Sequence, residues 1–207
     1  MPKLMLATTN LGKVREFKAL LEQYGLTEGL TLLTPKDWAT ALPEVEETGA
    51  TFAENARLKA VALARATGLP ALADDSGLCV DALGGEPGLH SARWAGPSAT
   101  DADRNALLLE RLAGVPAEER TGYYACVVSL ASPDGGSVEA VGTCGGVILD
   151  APRGADGFGY DPLFFVPELE CTMAELTEEE KNRISHRARA LSALLMQEKA
   201  MRLLAFV

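Results

Sequence analysis

Two adjacent carboxylates, Asp74 and Asp75, follow the apolar run Ala71-Leu72-Ala73 and precede Ser76-Gly77. Hard carboxylate oxygens at a strand end suit Mg²⁺, an ion that takes few protein carboxylates and completes its shell with water and substrate phosphate oxygens. A second acidic run, Glu44, Glu46 and Glu47, lies upstream. Glu46 or Glu47 could complete such a metal site, although taken alone the run is equally a solvated surface. Successive side chains of a strand point to opposite faces, so Asp74 and Asp75 need not share a site. A turn is expected at Asp74-Asp75-Ser76-Gly77, and it decides which carboxylate faces a ligand.

Thr8-Thr9-Asn10-Leu11-Gly12-Lys13 places hydroxyls, an amide, a glycine and an ammonium where a strand hands over to a helix. Unpaired N–H groups and the positive dipole end favour phosphate at such a place, though the spacing is not that of a Walker A loop and an ordinary capped turn uses the same residues. Asn55 and Lys59, at i and i+4, share one polar helix face that could point at a ligand. Gly157-Phe158-Gly159-Tyr160-Asp161-Pro162 sets two aromatics among glycines, where one ring can lie open for base stacking and another can plug the core. Lys181, Ser185, His186 and Arg187 add donors within two helical turns. His90 has no metal-type neighbours in sequence, and GxSxG, HExxH and Cys-His arrangements are absent, so serine or cysteine nucleophiles and zinc chemistry rank low.

The elements that position these groups follow from periodicity. Leu4 to Ala7 reads as a short buried strand, and Val14, Phe17, Leu21 and Tyr24 mark one face of a helix over 14–24, with Gly25 as its left-handed cap. Thr51 and Glu54 form a capping box that opens a helix over 52–66, stopped by Gly68 and Pro70. Strands are expected at 71–73 and 78–83, a helix over 101–113, and a hairpin pairing 123–131 with 137–143 about Pro133-Asp134-Gly135-Gly136. Further extended pieces fall at 145–148 and 163–166, and a second capping box, Thr177 with Glu180, opens a helical tail running to Leu204. Helices alternating with strands, followed by an antiparallel hairpin, predict an α/β protein with a mixed sheet and flanking helices, a single domain over 1–207 with room for two lobes.

Composition narrows the partners. The chain has 207 residues, 47% of them hydrophobic, and its 19 Lys and Arg against 29 Asp and Glu leave a net charge of -10. Such a field repels nucleic-acid polymers and anionic membranes, so an anionic ligand needs a local cationic pocket or a metal. No run approaches a membrane span or a signal-peptide core. Cys79, Cys126, Cys144 and Cys171 are widely spaced, as expected of a reduced, cytoplasmic protein.

Taken in order, Thr8 to Lys13, Glu46-Glu47-Thr48-Gly49, Phe52 to Asn55, Asp74 to Leu78, Gly157 to Pro162 and Lys181 to Arg187 resemble the inosine triphosphate pyrophosphatase family, the dITP/XTP pyrophosphatases. The resemblance covers nearly the whole chain. It implies a long, curved mixed sheet with two lobes around a nucleotide-binding cleft, a homodimer, and Mg²⁺-dependent hydrolysis of ITP, dITP or XTP to the monophosphate and pyrophosphate. On that resemblance Thr8, Thr9, Asn10, Leu11, Gly12 and Lys13, helped by Lys59, hold the triphosphate. Asp75 is the general base and a metal ligand, Glu46 or Glu47 completes the metal site, and Ser76 touches substrate. Phe158, Gly159, Tyr160, Asp161, Lys181, His186 and Arg187 form the base pocket. Thr9 stands where many relatives have glycine, and His90 and Trp94 stand where tyrosines are frequent. A nucleotide sensor without turnover and a phosphatase releasing phosphate stepwise are the rival functions.

Overall fold

The N-terminal apolar run forms strand β1 (Lys3–Leu6) in the computed structural model, which describes residues 2–205. Asn10 then caps helix α1 (Leu11–Gln23), its side-chain oxygen accepting from the Lys13 N–H at 3.1 Å. That bond satisfies one of the donors a helix leaves unpaired at its start. The helix therefore begins at Leu11 rather than at Val14, and Leu11, Gly12 and Lys13 are its first turn, not part of a loop. Beyond its end Gly25 adopts φ 67°, and the Gly25 and Leu26 N–H groups bond the carbonyls of Glu22 and Leu21. Glycine adopts that left-handed conformation without a Cβ penalty.

Strand β2 (Thr31–Leu33) lies between the first two helices in sequence; three half-buried residues are too few to show a period. Helix α2 (Phe52–Thr67) opens on the Thr51–Glu54 capping box and ends at Gly68, φ 68°, close to the predicted limits. Strand β3 (Ala71–Val80) is continuous, and this corrects the expected turn at Asp74-Asp75-Ser76-Gly77. Those residue types favour turns in isolation. Here β3 stands between β1 and strand β4 (Thr121–Ala131) in the sheet, and Gly77 serves close packing instead: a Cβ there would run into the Gly88 carbonyl and the Ser91 hydroxyl. Residues 81–83 form a 3₁₀ turn rather than the end of a strand.

Helix α3 (Asp101–Arg111) precedes β4, which passes through a tight turn at Ser132–Gly136 into strand β5 (Ser137–Ile148). The piece expected separately at 145–148 is the end of β5, where a Cβ on Gly146 would strike the Phe164 ring. Strands β6 (Phe164–Val166) and β7 (Cys171–Thr172) follow. The tail is three helices, α4 (Glu178–Ile184), α5 (His186–Leu195) and α6 (Glu198–Ala205), not one. The break falls at Ser185, fully buried and extended at φ -62° and ψ 152°.

The seven strands form one mixed sheet in the order β2-β1-β3-β4-β5-β6-β7. β1 is parallel to β2 and β3, with Met5 opposite Leu33 and Ala71, while β6 is antiparallel to β5 and β7. Contacts divide the chain into two compact units. The first comprises the chain through Asp75, Cys126–Gly142 and the chain from Arg187; the second comprises Ser76–Ala125 and Thr143–His186.

In the first unit both sheet faces are buried, which explains an apolar run in place of alternation in β1. Leu4, Leu6 and Leu72 pack with Phe17, Leu20 and Leu21 of α1 and Leu191 and Leu194 of α5. Met5, Ala7, Ala71 and Ala73 pack with Ala60, Leu63 and Ala64 of α2. The second unit has its own core, in which Leu78 and Val80 of β3 meet Leu108 and Leu112 together with Tyr124, Tyr160 and Phe164. Among the described residues no helix is long and apolar enough to cross a membrane, and none of the four cysteines is in a disulfide.

Candidate active site

The two-residue period of β3 separates its carboxylates. Leu72 belongs to the core under α1 and α5, and Ala71 and Ala73 to the core under α2. Continuing the alternation, Asp74 emerges on the face of α1 and α5, and Asp75 on the face of α2.

Asp74 is closed in by cations. Lys13 Nζ lies 2.9 Å from its Oδ2, and Arg187 donates to the same oxygen through Nη2 at 3.2 Å and Nε at 3.4 Å. Arg187 Nη1 pairs with Glu16, one turn beyond Lys13 on α1. Asp74, Arg187 and Glu16 retain only 2%, 1% and 5% exposure, so none of these charges is solvated and each depends on its partners. Burial works to raise the Asp74 pKa, yet Lys13, Arg187 and Lys59 together hold it well below the usual carboxylate range. Burial likewise opposes the charge on Arg187, and Glu16 and Asp74 more than restore it. Cys126, packed against this network, is pushed up to about 12 by burial and by Asp74, so it remains a neutral thiol.

Asp75 has a different shell. Asn55 Nδ2 donates to its Oδ2 at 3.2 Å, and Lys59 Nζ donates to its Oδ1 at 3.3 Å and to Glu47 Oε1 at 2.7 Å. Asn55 and Lys59 are one turn apart on α2, so the capping box at Thr51 sets both. Asn55 also accepts from the Gly49 N–H at 2.8 Å, and a Cβ on Gly49 would stand 2.7 Å from that Asn55 oxygen. The glycine thus lets the segment carrying Glu47 lie against α2. Burial pushes the Asp75 carboxyl up; Lys59 pulls it back, Glu47 adds to the rise, and the net direction is upward. Lys59 is held charged against its own burial by Asp75, Asp74 and Glu47. Glu46 is exposed.

Thr8 Oγ1 accepts from the Asn10 N–H at 3.2 Å, and Thr9, Asn10 and Leu11 are exposed at the N-terminal, positive end of α1. Lys13 points from the same turn to Asp74. This unit therefore gathers Lys13, Lys59, Glu47, Asp75 and Arg187. Arg187, expected among the base-reading residues, directs its guanidinium to Asp74 and Glu16.

The second unit gathers a separate cluster. Asp161 Oδ2 accepts from Lys181 Nζ at 2.7 Å and from the Phe158 N–H at 2.9 Å, and its Oδ1 accepts from the Tyr124 hydroxyl at 3.3 Å. A Cβ on Gly157, at φ 77°, would run into this carboxylate. Lys181 Nζ also lies 4.7 Å from the centre of the half-buried Phe158 ring, and the His186 ring stacks on Tyr124 with centroids 4.7 Å apart. Tyr160 is the aromatic that plugs the core, 3% exposed, its hydroxyl donating to the Ser91 carbonyl at 3.0 Å. Ser76 is half-buried. Lys181 lies in the last turn of α4, where the helix dipole favours a cation.

Sequence reasoning passed over Glu16 and Tyr124. Glu16 carried a signal, since it follows Lys13 by i+3 on one helix face; Tyr124 carried none, because its partners lie far along the chain.

A family model described as the Ham1 family matches residues 4–197. The chain is 55% identical over 194 residues to the dITP/XTP pyrophosphatase of Geobacter sulfurreducens, covering 94% of this chain and 95% of that one. It is 57% identical over 193 residues to a dITP/XTP pyrophosphatase of Thermus thermophilus, covering 93% and 90%. The structure of a HAM1 protein from Coxiella burnetii superposes with a TM-score of 0.82 at 40% identity, covering 98% of each chain.

Proposed function

The chain belongs to the Ham1 family, and on that premise we propose how its residues carry out the reaction that membership implies. It is a nucleoside-triphosphate pyrophosphatase that hydrolyses deaminated purine nucleotides, ITP, dITP and XTP, to the monophosphate and pyrophosphate. The observation that carries the assignment of roles is the Lys59 ammonium shared between Asp75 and Glu47.

Asp75 takes the proton of the water that attacks the α-phosphorus. Its upward-shifted carboxyl makes it a better proton acceptor than an ordinary aspartate, and Asn55 orients it. Lys13, Lys59 and the free N–H groups at the start of α1, with Thr8, Thr9 and Asn10, receive the phosphate oxygens and stabilise the leaving pyrophosphate. Arg187 and Glu16 keep Asp74 and Lys13 in place.

The donor set suits Mg²⁺. Asp75 and Glu47 are hard oxygen ligands already bridged by one cation, and no group of three His, Cys, Asp or Glu side chains gathers among the described residues, so such an ion would rest on few carboxylates and otherwise on water and phosphate. Bound there, it would neutralise phosphate charge and polarise the scissile phosphorus. The bond from Lys59 supports Glu47 over the exposed Glu46 as the second ligand.

Phe158 offers the stacking surface for the base, with Gly159 and the Tyr160 backbone shaping the loop, while Lys181, His186 and Asp161 read its edge. Inosine and xanthine carry an acceptor at C6 where adenine carries a donor, so N–H groups directed there pair with the first and leave the second unpaired. Ser76, the residue after Asp75, touches substrate. The family match over residues 4–197 supports a single functional domain, four widely spaced cysteines outside any disulfide support a cytoplasmic setting, and the net negative charge supports a small-molecule substrate over nucleic acid or membrane. We take the active species to be a homodimer.

A purine triphosphate panel tests this reading. Pyrophosphate and monophosphate should appear from ITP, dITP and XTP, far less from ATP, and none in EDTA. Stepwise release of orthophosphate through a diphosphate would mark a phosphatase instead, and binding without turnover a sensor.

A further inference from the structure

The Phe158 loop is held from outside by a helix that has no part in the assigned chemistry. Gly159, at φ 67°, belongs to neither helix nor strand, so no regular hydrogen-bond ladder fixes its peptide groups. Two side chains of α3 fix them instead. Asp101 Oδ2 accepts from the Gly159 N–H at 2.7 Å, and Asn105 Nδ2 donates to the Gly159 carbonyl at 2.9 Å. At i and i+4 the two lie on one face of α3, one turn apart, and grip a single residue by both of its polar groups.

The grip is itself oriented. The other oxygen of Asp101 pairs with Arg104 Nη2, and Arg104 Nη1 donates to the carbonyls of Ala99 at 2.6 Å and Ala92 at 3.0 Å. One guanidinium thereby ties the 92–99 segment to the carboxylate that holds Gly159. The Thr100–Asp103 capping box fixes the helix start from which Asp101 projects. On the inner side of the loop, the next residue back is Phe158, whose N–H bonds Asp161 and whose ring lies against Lys181.

We propose that Asp101 and Asn105 are positioning residues that set the plane of the Phe158 ring and the placement of Asp161, and so set the preference for ITP over ATP. The proposal rests on the reading of Phe158, Asp161 and Lys181 as the base pocket. Neither residue touches substrate; they act through the Gly159 peptide. Because the groups they hold engage the base and not the phosphates, their loss appears in KM and in base preference rather than in kcat.

The test compares Asn105→Leu, Asp101→Ala and Asp101→Asn with the unaltered protein, using Lys181→Met as a control on the pocket. Asn105→Leu and Asp101→Ala should each raise KM for ITP by about five- to tenfold, the value of one hydrogen bond, and lower the ITP-to-ATP ratio of kcat/KM by a similar factor, with kcat changed less than about twofold. Asp101→Asn keeps an acceptor for the Gly159 N–H and should restore KM to near its original value. If Lys181→Met erodes the ITP preference while the α3 variants leave it intact, or lower kcat equally for every purine along with the melting temperature, the proposal is overturned and the pocket stands. If Lys181→Met itself leaves the preference unchanged, both are overturned.

Discussion

Asp74 and Asp75 are the same residue type, adjacent in one strand, yet the two faces of β3 treat them in opposite ways. On the α1 and α5 face, Lys13 and Arg187 surround a carboxylate held far below its ordinary pKa, and Glu16 pairs with Arg187 to complete a network in which Asp74, Arg187 and Glu16 are all buried. On the α2 face, one shared lysine and one amide leave the carboxylate raised. The first arrangement keeps a charge in place; the second keeps a proton acceptor ready. What separates them is the number of cations each face supplies, because burial pushes both pKa values upward.

The sharpest break of this comparison is Asp75→Asn. It should lower ITP turnover by about two to four orders of magnitude, the usual worth of a positioned general base, with the urea midpoint unchanged or raised because a neutral amide relieves a desolvated charge. Steady-state pyrophosphate release and urea denaturation on one preparation check both halves. Unfolding equal to that of a variant on the other face would make the two faces equivalent.

That counterpart is Arg187→Met. Removing the guanidinium leaves Asp74 and Glu16 buried beside too few cations, and the expected loss is about 3–5 kcal/mol of unfolding free energy. A urea titration showing less than about 1 kcal/mol would mean that water reaches this network, and the closed face would lose its distinction.

The smallest effect is in pH dependence. Asp74 titrates lower in the folded chain than its unfolded value of about 3.9, so its contribution to stability is complete above that pH and is lost as pH falls through the folded value. Asp74→Asn should therefore flatten the stability curve below about pH 4. Asp75 titrates higher than an ordinary carboxylate in the metal-free chain, so at subsaturating Mg²⁺ the acid limb of kcat/KM should lie above the normal aspartate range, and Asp74→Asn should leave that limb in place while it changes the stability curve. A stability curve and a rate profile that shift together would show the two carboxylates to be coupled as one group.

Much of this was legible along the chain. The Thr51–Glu54 box placed α2 within a residue or so, and Asn55 and Lys59 followed on one face of it. The apolar run at 71–73 located the start of β3. The strand's continuation through Asp74 to Gly77 was not legible, since those types favour a turn until neighbouring strands and buried cations override them. Lys181 and Asp161 were each visible as candidates, whereas their 2.7 Å contact was not. The α3 grip on Gly159 was hidden for the same reason, its partners being separated by the whole of β4 and β5.

Local rules acting over a few residues settle where helices start, where glycine must reverse the chain, and which side chains share a helix face, because hydrogen bonds between near neighbours decide them. Which of two neighbouring aspartates is clamped and which is left basic depends on charges brought from α1, α2 and α5. Arg187 meets Asp74 across more than half the chain, and only packing of the folded molecule could put it there.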